Sequence, residues 1–108
     1  MARIARRGEI WMIDLGLAAK IRPCLIISTD VRDDERAVVT YVPRTTSRRG
    51  GRFEVPHQAT RFLPGAFDAQ NIGTIPTAKL MKFLVQIDAS TLEQVEAAVG
   101  IWLELKHT

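Results

Sequence analysis

Two stretches decide how this chain folds: Pro23-Cys24-Leu25-Ile26-Ile27-Ser28-Thr29 and Ala37-Val38-Val39-Thr40-Tyr41-Val42, with the polar run Asp30 to Arg36 between them. The first is almost continuously apolar, the pattern of a strand buried on both faces. The second is β-branched and aromatic, and Pro43 ends it. The polar run makes a turn and is too short for a helical crossover, so the two strands run antiparallel.

Outward from this pair the same signals recur. Glu9-Ile10-Trp11-Met12-Ile13-Asp14-Leu15 reads as a strand closed by Gly16. On the other side, Arg44 to Arg52, containing Gly50-Gly51, reads as a flexible basic loop leading to a short strand at Phe53-Glu54-Val55. Gln58 to Pro64 is expected to be irregular. Ala66 to Ile75 is a weaker strand, bent or bulged at Gly73, and Thr77 to Met81 is a single helical turn. Lys82 to Ile87 is the last strand. Ser90-Thr91-Leu92-Glu93 has the form of a capping box with Ser90 as N-cap. Leu92, Val95, Val99, Trp102 and Leu103 follow at helical spacing, a stripe for the core or for a subunit interface. The expectation is a mainly β domain spanning residues 1–108, a small, partly open antiparallel barrel with a C-terminal α-helix packed across it.

With 108 residues the core is small, so a partner subunit is expected to cover part of the surface. Hydrophobic residues are 46% and charged residues 25%, the balance of an ordinary globular protein. No apolar run reaches the ~18 residues a spanning helix needs, which argues against a membrane. The basic start, Met1 to Arg7, leads into a strand and lacks the apolar region of a signal peptide. Cys24 is the only cysteine, so no internal disulfide forms, and the expected compartment is the cytoplasm.

The net charge is +3, but residues 1–54 hold 11 basic against 7 acidic side chains, and residues 55–108 hold 4 against 5. Arg44, Arg48, Arg49 and Arg52 crowd into one stretch. Such a run serves as a solvated loop or as a phosphate-binding rim, for which the planar arginine fork is well suited.

One cysteine and two histidines, His57 and His107, make no recognisable zinc set. Asp30, Asp33, Asp34 and Glu35 lack the spacing and central glycine of a calcium loop. No glycine-rich phosphate loop or nucleophile elbow is present. RNA, however, brings its own nucleophile, the 2′-hydroxyl, so cutting it requires only groups that move protons and stabilise charge. A pair of histidines is one solution, but His107 is penultimate and His57 follows Pro56 in a loop. Arg22 precedes Pro23, which biases its backbone to an extended form at a strand entrance. Thr45, Thr46 and Ser47 place three hydroxyls beside Arg44 at another strand end. On residue types alone, a surface arginine and a capped turn account for both.

Several short motifs occur together in a fixed order. Arg7-Gly8-Glu9-Ile10-Trp11 enters a strand, and Arg22-Pro23 opens an apolar strand ending at Ser28. Val42-Pro43-Arg44-Thr45-Thr46-Ser47, Phe53-Glu54-Val55, Gln70-Asn71-Ile72-Gly73-Thr74-Ile75 and the terminal amphipathic helix complete the series. From Arg7 to Leu105 this order resembles the MazF/PemK family of toxin endoribonucleases. The resemblance implies a dimeric SH3-like barrel of the MazF/PemK/CcdB kind. It also implies metal-independent, cofactor-free, sequence-selective cleavage of single-stranded RNA, leaving a 2′,3′-cyclic phosphate and a 5′-hydroxyl. The family's catalytic arginine falls on Arg22 and its catalytic threonine on Thr45. Arg44, Thr46, Ser47, Arg48, Arg49, Arg52, Gln70 and Asn71 are the expected RNA-binding residues. A cognate antitoxin, whose disordered tail fills the RNA groove, is the implied protein partner.

Two departures bear on the cut site. The loop from Gly16 to Ile21 is shorter than in many relatives, and Gln70-Asn71 stands where many have Asp-Gln. Two other readings fit the same fold: a non-catalytic gyrase inhibitor of the CcdB kind, and a non-catalytic RNA-binding barrel relying on the Arg44 to Arg52 rim.

Overall fold

The computed structural model describes residues 3–18 and 20–105, so His107 lies outside the described residues. Seven strands come first: β1 (Glu9–Asp14), β2 (Ile21–Ile26), β3 (Val38–Thr45), β4 (Glu54–His57), β5 (Gly65–Asp68), β6 (Gly73–Pro76) and β7 (Leu80–Gln86). The helix α1 (Ala89–Trp102) follows them. The sheet runs β4-β5-β3-β2-β1-β7, with β6 also paired to β3, and every pairing is antiparallel. β3 makes the fold a partly open barrel. Along the edge away from β2, Val38 to Tyr41 pair with β6, while Arg44 and Thr45 pair with β5.

Side-chain alternation explains why the central strands are apolar throughout. Leu25 and Val42 point into a core shared with Phe67, Val95 and Val99 beneath α1. Cys24, Ile26 and Val39 point the other way, into a second cluster with Trp11 and Ile13. A strand between two cores needs no polar face.

Several local expectations change. His57, expected in a loop, ends β4, and β7 starts at Leu80 rather than Lys82. β3 runs through Pro43 to Thr45 instead of ending there. Pro43 is tolerated because neither β6 nor β5 pairs with it, so its missing N–H breaks no ladder on that edge. β2 begins at Ile21, so Arg22 lies within the strand. The expected strand from Ala66 to Ile75 is two strands joined by a 3-10 turn at Ala69–Asn71, because the Asp68 carboxylate accepts from the Gln70 amide and caps the turn. Asp88, not Ser90, caps α1. Its carboxylate accepts from the Thr91 amide at 2.9 Å and from the Thr91 hydroxyl, so the helix starts before Ser90. On α1, Val95, Ala98 and Val99 are buried, while Trp102 and Leu103 at its end are exposed. Among the described residues no helix is long and apolar enough to cross a membrane.

Candidate functional site

The register of β2 on β3 builds the site. The last ladder pair is Cys24 with Pro43, and two residues further along each strand stand Arg22 and Thr45. Strand alternation puts both on one face, opposite each other, where the ladder opens. They line one concavity of about 590 Å³.

Each side chain is held by its own stretch of chain. Thr45 Oγ1 accepts from the Ser47 amide at 3.0 Å, which orients the hydroxyl and leaves its O–H free to donate. Among the described residues Arg22 has no carboxylate partner, so its fork is uncommitted. The capped turn after β5 presents Gln70 and Asn71 to the same concavity. Arg49 and Ser47 enter from the basic loop. That loop is organised from below: the Glu54 carboxylate accepts from the Arg49 amide at 2.9 Å and the Gly50 amide at 2.8 Å. Gly50 has φ +76°, a left-handed value that suits glycine, and this lets consecutive amides converge on the carboxylate. Those two backbone bonds hold the Glu54 carboxyl below its ordinary range.

Of the residues expected from the sequence, the concavity gathers Arg22, Thr45, Ser47, Arg49, Gln70 and Asn71. Arg48 and Thr46 are exposed but do not line it. The Arg52 guanidinium lies over the Phe53 ring, 4.5 Å from its centroid, also outside the lining. Arg44 is not in the groove. It is 5% exposed and spends its hydrogen bonds on His57 and Leu63, because alternation along β3 turns it away from the face that carries Thr45.

The site also contains residues that sequence reasoning missed. Trp102, 42% exposed, lines the concavity and is braced edge-on by Phe53, with centroids 5.4 Å apart. Helical spacing had put it in a packing stripe, and nothing local marks its exposure. Glu54 and Asp68, ordinary strand carboxylates in the sequence, organise the loop and the turn. Cys24 is buried beneath Arg22, and burial, partly opposed by the Arg22 charge, pushes its thiol up to about 12, so it is no nucleophile. His57 is buried and absent from the lining. Among the described residues no three potential metal ligands cluster.

An unpaired arginine facing an oriented hydroxyl, with amide side chains and an aromatic face alongside, suits a single-stranded phosphodiester. Comparisons with known proteins bear on this. The family model described as a PemK-like, MazF-like toxin of type II toxin-antitoxin system matches residues 6–103. Endoribonuclease MazF4 of Mycobacterium tuberculosis is 32% identical over 99 residues, covering 92% of each chain. Endoribonuclease MazF9 of the same organism is 30% identical over 114 residues, covering 93% of this chain and 97% of its own. A mycobacterial endoribonuclease solved in complex with its cognate antitoxin has a TM-score of 0.82 at 28% identity, covering 97% of this chain and 100% of its own. A Deinococcus radiodurans MazE-MazF structure has a TM-score of 0.81 at 19% identity, covering 97% of this chain and 100% of its own, and shares the fold.

Proposed function

The chain belongs to the PemK-like, MazF-like toxin family of type II toxin–antitoxin systems, and on that premise we propose that it is an endoribonuclease cutting single-stranded RNA. The observation that carries this reading is the juxtaposition of Arg22 and Thr45 across the open end of the β2–β3 ladder.

In the proposed reaction the substrate's 2′-oxygen attacks phosphorus while the bond to the 5′-oxygen breaks. The 2′-hydroxyl releases its proton to solvent water and the departing 5′-oxygen takes one from solvent water, leaving a 2′,3′-cyclic phosphate and a 5′-hydroxyl. Arg22 grips two phosphate oxygens and neutralises the charge that grows on them. Thr45 donates its free O–H to the same group. A guanidinium stays protonated up to pH ~12, so in this reading Arg22 stabilises charge and donates hydrogen bonds rather than abstracting a proton. Arg49 and Ser47 hold the flanking backbone, Gln70 and Asn71 read base edges, and Trp102 offers a face for stacking. Side chains fill the gripping, stacking and charge-stabilising roles, and the RNA supplies the nucleophile, so the proposed reaction uses neither metal nor cofactor.

The partners in this reading are single-stranded RNA, a cognate antitoxin and a second copy of the chain, and the compartment is the cytoplasm. The antitoxin complex of the mycobacterial relative supports the second of these. Exposed Ile101, Leu103 and Leu105 at the end of α1 suit an interface between copies. The test is incubation of purified protein with a long RNA in EDTA. Cleavage that is abolished in Arg22→Ala and in Thr45→Ala supports the reading. Intact RNA with the native protein overturns it.

A further inference from the structure

Arg44 precedes Thr45 in the chain, yet its side chain goes inward. Its Nε donates to His57 Nδ1 at 2.9 Å, and its Nη2 donates to the His57 carbonyl at 2.8 Å and the Leu63 carbonyl at 2.7 Å. The guanidinium lies 4.8 Å from the Phe62 ring centroid. Among the described residues no carboxylate pairs with it, so a buried cation is held by one imidazole and two carbonyls. Burying a cation without a counter-charge is costly, and these hydrogen bonds offset that cost only in part. What they hold is the end of β3, tied to the end of β4 at His57 and to the loop before β5 at Leu63. The far side of Thr45 has no slack either. A Cβ on Gly65 would stand 2.4 Å from the Thr45 carbonyl oxygen and 2.8 Å from Arg44 Nη1.

We propose that Arg44 and His57 are a buried positioning pair that fixes the Thr45 hydroxyl at the groove and makes no contact with RNA. Its effect on turnover rests on the ribonuclease reading above. Because Nδ1 accepts from Arg44, His57 is neutral with its proton on Nε2. The groups facing it are Arg44 of β3, Asp88 ahead of α1, and the rings of Phe62 and Phe67. Burial first, and then the Arg44 charge, lower the His57 pKa from 6.5, with Asp88 opposing. Protonation would remove the lone pair Arg44 uses and set two cations side by side. The positioning is therefore complete above 6.5 and is lost as pH falls through the lowered folded value.

The experiment measures single-turnover RNA cleavage and the Thr45 methyl NMR signal together, from about pH 5 to about pH 8. Arg44→Lys keeps the charge but not the fork, and should lower kcat between about tenfold and about a hundredfold while leaving KM and its salt dependence unchanged. His57→Gln keeps an acceptor that does not titrate, and should remove both the acid fall in kcat and the matching shift of the Thr45 methyl. Should Arg44→Lys fail to fold, His57→Gln carries the test. An Arg44→Lys protein that binds RNA less tightly, with an altered salt slope and an unmoved Thr45 methyl, would overturn the proposal in favour of a phosphate contact. Persistence of the acid limb in His57→Gln would also overturn it. Native protein that cuts no RNA at any pH defeats the ribonuclease reading instead, and the methyl titration still decides whether the pair positions Thr45.

Discussion

Two concavities open on this one sheet, and they use their arginines in opposite ways. The larger, about 830 Å³, is walled by Trp11, Val39, Leu80 and Phe83. The arginines at its rim are spoken for: Arg3 pairs with Glu9 at 2.7 Å and lies over the Phe83 ring, and Arg6 pairs with Asp30. The smaller, about 590 Å³, keeps Arg22 without a carboxylate partner among the described residues, beside a hydroxyl whose proton is free. A neutralised cation contributes to structure, whereas an uncommitted one in a groove is ready for an external anion. Size alone would favour the larger concavity, whereas the state of the arginines favours the smaller one, where the proposed site lies.

Substitutions should separate the two. Trp11 is buried, packs edge-on against Phe83 at 6.0 Å and donates from Nε1 to Glu9 at 3.0 Å. Trp11→Ala should cost about 3–5 kcal/mol in a denaturant titration, with cleavage per folded molecule unchanged. A parallel loss of cleavage would mean that the concavities are coupled. Arg22→Ala should do the reverse, lowering turnover by about 10²–10³ while stability stays within about 0.5 kcal/mol. If Arg22→Lys kept near-native turnover, the bidentate grip on the phosphate would be wrong. Trp102→Ala should come next, weakening RNA binding by about 1–3 kcal/mol for each base stacked there, read as a raised KM at constant kcat. An unchanged KM would return Trp102 to a packing role.

The apolar side of the comparison was the more legible in the sequence. Periodicity places strands between Glu9 and Val42, and the continuous apolar run at Cys24 to Ile27 announces two cores. What eluded it is set by pairing rather than by local preference. Pro43 looks like a strand end, because the gap between β6 and β5 that accommodates it exists only in the folded sheet. Ser90 competes with Asp88 as a cap on equal local terms, and the geometry of the entering chain decides. For the groove, ordered motifs picked out Arg22 and Thr45, but residue chemistry alone did not. The same clustering that made Arg44 resemble its basic neighbours hid the alternation that buries it. Trp102 falls on the packing stripe by spacing, and its exposure depends on where the helix ends relative to Phe53.

The smallest effect expected comes from acid, and it divides the concavities by mechanism. Each rests on one carboxylate held below its ordinary value. Burial raises the Glu9 carboxyl, but hydrogen bonds from Trp11, Arg3 and the Arg6 amide outweigh it. Glu54 is lowered by the Arg49 and Gly50 amides instead. For both, the folded pKa lies below the unfolded value near 4.5, so the unfolded chain binds protons first as the pH drops. Their stabilisation is present above 4.5 and is lost as pH falls through each folded value. Urea midpoints measured down this range should decline, and Glu9→Gln and Glu54→Gln should each flatten part of the decline. Salt should tell them apart: both gain from nearby charge, Glu9 from Arg3 and Glu54 from Arg48 and Arg49, but Glu9 is buried and Glu54 is not. Added salt should therefore blunt the Glu54 share more than the Glu9 share. A Glu54→Gln protein whose groove loop keeps its protection from hydrogen exchange at Arg49 and Gly50 would show that the carboxylate does not organise the loop, and that this side of the molecule depends on charge less than its geometry implies.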